Sequence, residues 1–346
     1  MKKKLFLSMA KAMKVFNLQL FAEPNTNVTT DTGLSGEMKT YYEDTLIDEA
    51  EPELVHDQFG DKYPIPKGKG KTIEFRKYDS LPKALTPLTE GVTPNGKKLS
   101  MSTITAEIAQ YGDYVVTSDI LDLTAIDNNV VQSTKVLGSQ AGRTLDTVTR
   151  EVLAGGTNVL YAPKISDDVE TIVTSRKNLD ETALITPDLC FQAYTILKTM
   201  LAPFIDGCYV AIIHPQISYD LMRNKEWIDV HKYATPENIY EGEIGKIANI
   251  RFVQTPEAKI WRDDTCPEGL AVYSTLILGA HAYGVTEVQG GGLQHIVKQL
   301  GYGDDPLNQR ASVGWKATKV AKRLVEQYML RIESCSKRYS AIATAN

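Results

Sequence analysis

The sequence predicts an α+β fold, and three observations point to it. Helical and strand-like patterns are mixed without the regular alternation of strand and helix that marks a doubly wound sheet. One helical pattern, over residues 127–153, is much longer than the others. Between two strand-like runs, residues 79–97 are rich in proline and glycine and carry little apolar material. A mixed fold with a projecting loop accounts for all three.

The composition of the chain excludes several classes of function. The chain has 346 residues, of which 42% are hydrophobic, so it has enough apolar material for a sizeable core. Its formal net charge is -5, whereas proteins that grip nucleic acid usually carry a basic surplus. The four cysteines contain no CxxC pair, which argues against a zinc knuckle or a disulfide framework. We therefore expect a protein of a reducing compartment that does not bind nucleic acid tightly.

In the N-terminal segment, residues 1–60, the apolar residues show little periodicity, and the basic and acidic residues are separated along the sequence. Lysines crowd its first fourteen residues, and acidic residues crowd its end. Lys2, Lys3 and Lys4 precede an apolar run that is too short for a secretory signal, and no later segment has the apolar length of a membrane span. The segment is either a polar tail with an acidic helix near residues 37–58 or an arm that orders against a neighbouring subunit.

A projecting hairpin is predicted next. Residues 72–78 alternate between apolar and polar side chains, as a half-buried strand does, and a second extended run covers about residues 98–109. The long loop between them has no apolar core of its own, and loops of that length are usually functional or disordered. The hairpin therefore needs a surface outside the subunit on which to lie.

The clearest helix covers residues 127–153. An apolar stripe recurs every three or four residues from Val130 to Val152. Asp127 or Asn128 is a suitable N-cap, and Gly155 and Gly156 end the pattern. At 1.5 Å per residue the helix would be about 39 Å long, which is more than a core helix of an ordinary domain requires.

The remaining elements are shorter. Thr186 and Pro187 begin one helix, residues 209–213 form a buried strand, and His214 and Pro215 begin another helix. Strands are predicted at residues 250–252, 270–278 and 285–288, around Trp315, and at 328–332. Before the last of these strands we predict a short helix, from the spacing of Ala317, Val320, Ala321 and Leu324.

No active site is visible in the sequence. The five histidines have no metal-ligand spacing, no serine or cysteine lies in a nucleophile motif, and Gly290 to Gly292 precede no helix that would hold a phosphate. Paired aspartates at residues 263–264 and 304–305 are typical of solvated turns. We therefore predict no catalytic residue, no cofactor and no metal.

Three segments resemble the Hong Kong 97-type major capsid proteins of tailed bacteriophages, in particular the branch named after phage N-four. They are LPKALTPLTEGVTPNGKKLSMSTITAEIAQY at residues 81–111, ILGAHAYGVTEV at residues 277–288, and DPLNQRASVGWKATKVAKR at residues 305–323. The segment NLQLFAE at residues 17–23 is similar to the start of many phage structural proteins.

This resemblance implies a domain organisation. It implies an N-terminal arm (1–60), a first part of the peripheral domain (61–184) with an extended loop (78–104) and a spine helix (127–154), an axial domain (185–282), and closing strands with a C-terminal tail (283–346). In the family the extended loop lies across a neighbouring subunit. The residues expected to make inter-subunit contacts are Leu81, Leu85, Pro87, Leu88, Glu90, Val92 and Lys97.

The resemblance also implies a function. We expect a major capsid protein that self-assembles through hexamers and pentamers into the icosahedral head shell around double-stranded DNA. Its expected partners are itself, a separate scaffold protein and a portal protein, with no membrane, and its expected locations are the virion capsid and, during synthesis, the host cytoplasm. The alternatives are an encapsulin-like compartment shell and, more distantly, a soluble α+β enzyme with an unrecognised site.

Overall fold

The structure, a computed structural model, describes residues 54–78, 81–88, 90–93, 95–124, 129–166, 169–224, 227, 245–303 and 305–346. These residues all belong to one unit, Thr45–Asn346. Most of the predicted N-terminal arm lies outside the described residues, as do the two predicted caps of the long helix, Asp127 and Asn128.

The elements alternate irregularly along the chain, which confirms the predicted α+β class. The α-helices are α1 (Asp119–Thr124), α2 (Asn129–Ala154), α3 (Pro187–Thr199) and α4 (Pro215–Met222). The strands of the first half are β1 (Asp61–Lys62), β2 (Thr72–Tyr78), β3 (Met101–Glu107), β4 (Ala109–Ser118), β5 (Val159–Tyr161), β6 (Lys164–Ser166), β7 (Val169–Thr171) and β8 (Tyr209–Ile213). The strands of the second half are β9 (Lys246–Ile247), β10 (Ile250–Gln254), β11 (Ile260–Trp261), β12 (Val272–Leu278), β13 (Tyr283–Thr286), β14 (Gln294–Lys298), β15 (Arg310–Arg323) and β16 (Met329–Ser334).

The first sheet is built around β15. Its strand order is β1-β13-β15-β14, and β4 pairs with β15 along the other edge. The long helix α2 covers one face of this sheet. Leu137, Ala141 and Leu145 of α2 pack against side chains of β15, among them Val313 and Trp315. The long helix predicted as the spine helix is thus confirmed, and its apolar stripe packs against the first sheet.

One predicted element is wrong. The structure has a continuous strand where we predicted a short helix from Ala317, Val320, Ala321 and Leu324. Alternate residues of β15, from Val313 to Ala321, are buried, which is the period of a strand with one covered face. The buried set includes Lys319, and a lysine inside an apolar alternation hides that period in the sequence. Strand β4 was not predicted at all, because most of its side chains are exposed.

The second sheet is larger and more deeply buried. Its strand order is β5-β16-β12-β8-β10-β9, and β11 pairs with β12. All residues of β8 and β12 are buried, so these two strands form the middle of the core, with α3 packed on the same apolar cluster. The predicted helix starts are confirmed: the Thr186 hydroxyl accepts a hydrogen bond from the Leu189 amide (3.3 Å), and the His214 ring accepts one from the Gln216 amide (3.2 Å).

The two sheets do not follow the linear order of the chain. Strands β5 and β16 lie in the second sheet, although their residues fall outside the predicted axial range of 185–282. Strands β13 and β15 lie in the first sheet with β1. The predicted domain boundaries remain predictions, and strand pairing groups residues 159–161 and 329–334 with the sheet of that axial range.

Candidate functional site

The extended loop is the tip of an antiparallel hairpin. Strands β2 and β3 pair in register from Thr72 with Glu107 to Tyr78 with Met101, as the sequence predicted. An ion pair between Lys71 and Glu107 closes the base of the hairpin. Because β3 is followed by β4 after a single residue, the returning strand of the hairpin leads directly into the edge of the first sheet.

The loop exposes apolar side chains that a folded subunit would ordinarily bury. Every described residue between 81 and 100 is exposed. Leu85 is 83% exposed and Leu88 is 78% exposed. Burying one such side chain contributes roughly 1.5–3 kcal/mol, so the loop holds a substantial unused driving force for association.

All seven predicted contact residues are found in this exposed segment. They are Leu81, Leu85, Pro87, Leu88, Glu90, Val92 and Lys97. The Lys97 ammonium donates a hydrogen bond to the Pro82 carbonyl (3.4 Å), which links the two arms of the loop. Their role in contacts between subunits stays a prediction, while their exposure is what such a role requires.

A buried ion cluster joins the end of α2 to the second sheet. The Glu333 carboxylate on β16 is fully buried and accepts hydrogen bonds from Arg176 and Arg331. Arg331 also donates to the carbonyl oxygens of Ala154 and Gly156. Since the last carbonyls of a helix lack partners within the helix, Arg331 closes the C-terminal end of α2.

A second buried cluster fixes the segment before β1 to the middle of α2. His56 donates from its backbone amide to Asp146 (2.7 Å), and its ring Nδ1 lies 2.6 Å from the other carboxylate oxygen. Asp57 forms an ion pair with Lys319 of β15 and accepts a hydrogen bond from Thr149 (2.6 Å). The point where the predicted arm joins the body is therefore held by polar contacts away from water.

The buried histidine and cysteine side chains with shifted pKa values are uncharged at neutral pH, as is usual for side chains with a structural role. Burial lowers the pKa of His214 to about 4, against a smaller opposing effect of its hydrogen bond with the backbone of Pro256, so this N-cap ring is neutral at pH 7. Burial raises the thiol pKa of Cys190 and of Cys335 to about 12, which leaves both thiols protonated and poorly nucleophilic. Among the described residues no group of three or more His, Cys, Asp or Glu side chains could hold a metal ion.

Sequence reasoning located the loop and the long helix but missed both buried clusters. Arg331 and Glu333 lie two residues apart on β16, but Arg176 is 157 positions from Glu333, and no motif joins it to them. For Lys319 the alternation of Val313, Trp315 and Ala317 indicated a strand, but the lysine itself interrupts that alternation and so hid its own buried position. Among the helices of the described residues, none has the length and apolarity that crossing a bilayer requires.

Comparison with known proteins gives a consistent result. Residues 12–305 match the model of a family described as phage capsid protein. No curated protein matches the sequence significantly. The fold is similar to the capsid of Ralstonia phage GP4, with 15% identity, 83% of this chain and 89% of that chain covered, and a TM-score of 0.61. It is also similar to the capsid of cyanophage P-SCSP1u, with 14% identity, 79% and 86% covered, and a TM-score of 0.58.

Proposed function

The chain belongs to the phage capsid protein family, and from this premise we propose how its subunits are held together. It is a major capsid protein with the Hong Kong 97-type fold, and its role is to build the head shell. Its function is thus structural, and we propose that it has no enzymatic activity in addition.

The exposed extended loop is the observation that supports our assembly mechanism. We propose that the loop lies across a neighbouring subunit and there buries Leu81, Leu85, Pro87, Leu88 and Val92, with Glu90 and Lys97 at the rim of the contact. The side chains of Leu85 and Leu88 are almost fully exposed within one subunit. Contacts of this kind are individually modest, and a closed symmetric shell repeats them many times.

Within the subunit we propose two bodies that meet at the end of α2. The peripheral body contains the first sheet, α2 and the hairpin, and corresponds to the predicted ranges 61–184 and 283–346 without β5 and β16. The axial body contains the second sheet, around the predicted range 185–282. The hydrogen bonds from Arg331 to Ala154 and Gly156 support a firm joint between them.

We propose that the shell consists of hexamers and pentamers of this chain and encloses double-stranded DNA without sequence-specific binding. The net charge of -5 supports this proposal, because a negatively charged subunit does not attract the DNA phosphates strongly to the inner surface of the shell. We further propose that a separate scaffold protein and a portal protein take part in assembly, that the subunit is made in the host cytoplasm and that it resides in the virion capsid. The family match favours this proposal over an encapsulin-like compartment or a soluble enzyme.

Expression of the full chain, alone and together with its scaffold, tests this proposal by sedimentation and electron microscopy. We expect closed particles, or rings of five or six subunits, and double-stranded DNA in particles isolated from infected cells. A stable monomer or dimer under every condition contradicts the shell assembly. Closed particles that hold a protein cargo and no DNA contradict the genome container.

A further inference from the structure

A pocket lies where the start of α3, the end of α4 and the residues that follow β16 meet. It has a volume of about 350 Å³, at the small end of the range of roughly 300–1,000 Å³ that is usual for ligand pockets. Its lining contains no residue of the extended loop and no residue of the two buried ion clusters. The lining includes Ile185, Thr186, Tyr219, Arg223, Lys337 and Arg338. We call it the Tyr219 pocket.

The charged side chains that line the Tyr219 pocket are three cations and one carboxylate. The cations are Arg223, Lys337 and Arg338, all of them exposed, and none forms an ion pair with another described residue. The carboxylate, Asp220, already has partners, because its Oδ2 accepts hydrogen bonds from the Ser336 hydroxyl (2.6 Å) and from the Lys337 amide (3.2 Å). The lining therefore has two positive charges in excess, and a ligand for the pocket should be an anion.

Two of the cations are positioned by the Tyr219 ring. The guanidinium of Arg223 lies 6.0 Å from the centre of this ring, and that of Arg338 lies 5.7 Å from it, which is the range of a cation–π contact. The ring itself makes an edge contact with Tyr339, with 6.4 Å between the ring centres. A cation–π contact neither cancels the charge of a guanidinium nor uses its N–H donors, so both arginines are held in place and remain able to bind an anion.

The start of α3 adds a hydroxyl donor to the same pocket. The N-terminal end of a helix favours negative charge, and Thr186, the N-cap of the 13-residue helix α3, lines the pocket. The Thr186 hydroxyl oxygen accepts a hydrogen bond from the Leu189 amide (3.3 Å), so its own proton can be donated to a ligand. Asp188 in the first turn is bonded to Gln192 (2.6 Å) and does not line the pocket.

We propose that the Tyr219 pocket binds a phosphate group. The guanidinium groups of Arg223 and Arg338 donate to the phosphate oxygens, as their fork geometry favours, while Lys337 adds charge and the Thr186 hydroxyl adds a donor. A doubly ionised phosphate matches the two excess charges, whereas a carboxylate leaves one of them unmatched. The same chemistry is offered by a free phosphate and by the backbone of DNA, and contact with a DNA phosphate is independent of sequence. This inference goes beyond the proposed function, which assigns no ligand to the subunit.

Calorimetric titration of the full chain with inorganic phosphate, at constant ionic strength, tests the site. The double variant Arg223→Gln with Arg338→Gln should weaken phosphate binding by at least about tenfold. Arg251→Gln is the matched control and should bind as the unmodified chain does, because Arg251 is also an exposed arginine beside an aromatic ring (6.0 Å from the centre of Phe59) but lies outside the pocket. Lys337→Gln leaves both cation–π contacts intact and should weaken binding by about threefold, which gives a reading that does not depend on the packing of Tyr219.

A DNA duplex of about 20 base pairs distinguishes the two sources of phosphate. If the duplex competes with inorganic phosphate, and the double variant loses this competition, the backbone of DNA is a ligand of the pocket; if the duplex has no effect, the ligand is a free phosphate. The assignment would be overturned by an unmodified chain that does not bind phosphate at roughly 10 mM, or by equal phosphate affinity of the double variant and Arg251→Gln. Binding of a hexaglutamate peptide in place of phosphate would also overturn it, in favour of an acidic protein segment. Because the titration does not require assembled shells, its failure leaves the proposed function intact.

Discussion

Arg176 and Glu333 are joined by two parallel hydrogen bonds of 2.7 Å, from Nε and Nη2 of the guanidinium to the two carboxylate oxygens. Glu333 has no exposed surface. Arg331 shares the same carboxylate (2.8 Å) and reaches the backbone at the end of α2. This arrangement connects the second sheet to the helix that supports the first sheet, and its position makes it a determinant of subunit stability.

The first prediction concerns this cluster. Glu333→Gln should lower the free energy of unfolding by about 3–5 kcal/mol, because it leaves the buried guanidinium of Arg331 and the partly buried guanidinium of Arg176 without their counter-charge. Urea unfolding of the subunit measures the change. Glu268→Gln is the matched control, since Glu268 is exposed, and it should change stability by less than about 0.5 kcal/mol. Equal stability of the two variants would refute the role of the cluster.

The second prediction concerns Lys319, which forms a buried ion pair with Asp57 and donates to the Leu145 carbonyl (2.9 Å). Lys319→Met alone should destabilise the subunit by about 3 kcal/mol, because the Asp57 carboxylate loses its partner. The double variant Asp57→Leu with Lys319→Met should recover at least half of that loss in thermal or urea unfolding. A double variant that is less stable than Lys319→Met would show that the pair has no such coupling.

The third prediction concerns Gly112 on β4. A Cβ at this position would come within 2.6 Å of the Trp315 carbonyl oxygen, and backbone atoms of a paired strand cannot move aside cheaply. Gly112→Ala should therefore lower the free energy of unfolding by about 1–3 kcal/mol. Gly96→Ala in the extended loop, where a Cβ meets nothing within 4 Å, should be nearly neutral. Comparable unfolding midpoints for the two variants would contradict this account of the β4–β15 contact.

The fourth prediction concerns pH. Burial holds the pKa of His214 at about 4 in the folded subunit, below its value of about 6.5 in an unfolded chain. Between these values the unfolded state binds a proton that the folded state does not, so stability falls as pH falls from 6.5 to 4. His214→Asn keeps an N-cap and should reduce this loss by on the order of 1–2 kcal/mol. Urea unfolding at pH 7 and pH 4.5 checks it, and an unchanged pH dependence in the variant would contradict the assignment.

The local elements were the part that the sequence alone predicted well. The spacing of apolar residues located α2, and the residue pairs Thr186-Pro187 and His214-Pro215 located the starts of α3 and α4, because capping chemistry is written in neighbouring residues. At β15 the predicted strand around Trp315 is confirmed, but the short helix predicted after it is wrong, because the buried Lys319 interrupts the alternation that marks a strand. It also missed β4, since most of the side chains of this edge strand are exposed.

The long-range partners were beyond the reach of sequence reasoning. Arg176 meets Glu333 across 157 positions of the chain, and Asp57 meets Lys319 across 262 positions. Neither pair has a recognisable sequence motif, because its two members are brought together only when the complete fold has formed. The extended loop was different: its proline and glycine content and its lack of a local core are local features, so its exposure could be predicted.

We propose that the extended loop provides the contacts that build the shell. The most direct test is the fraction of protein in closed particles, measured by sedimentation, for the double variant Leu85→Ser with Leu88→Ser. Both leucines are exposed in the subunit, so we expect unchanged unfolding but at least about a tenfold loss of particles, whereas Lys83→Ser, an exposed polar change in the same loop, should assemble normally. Particles formed by the leucine variant at the yield of the unmodified protein would contradict the claim.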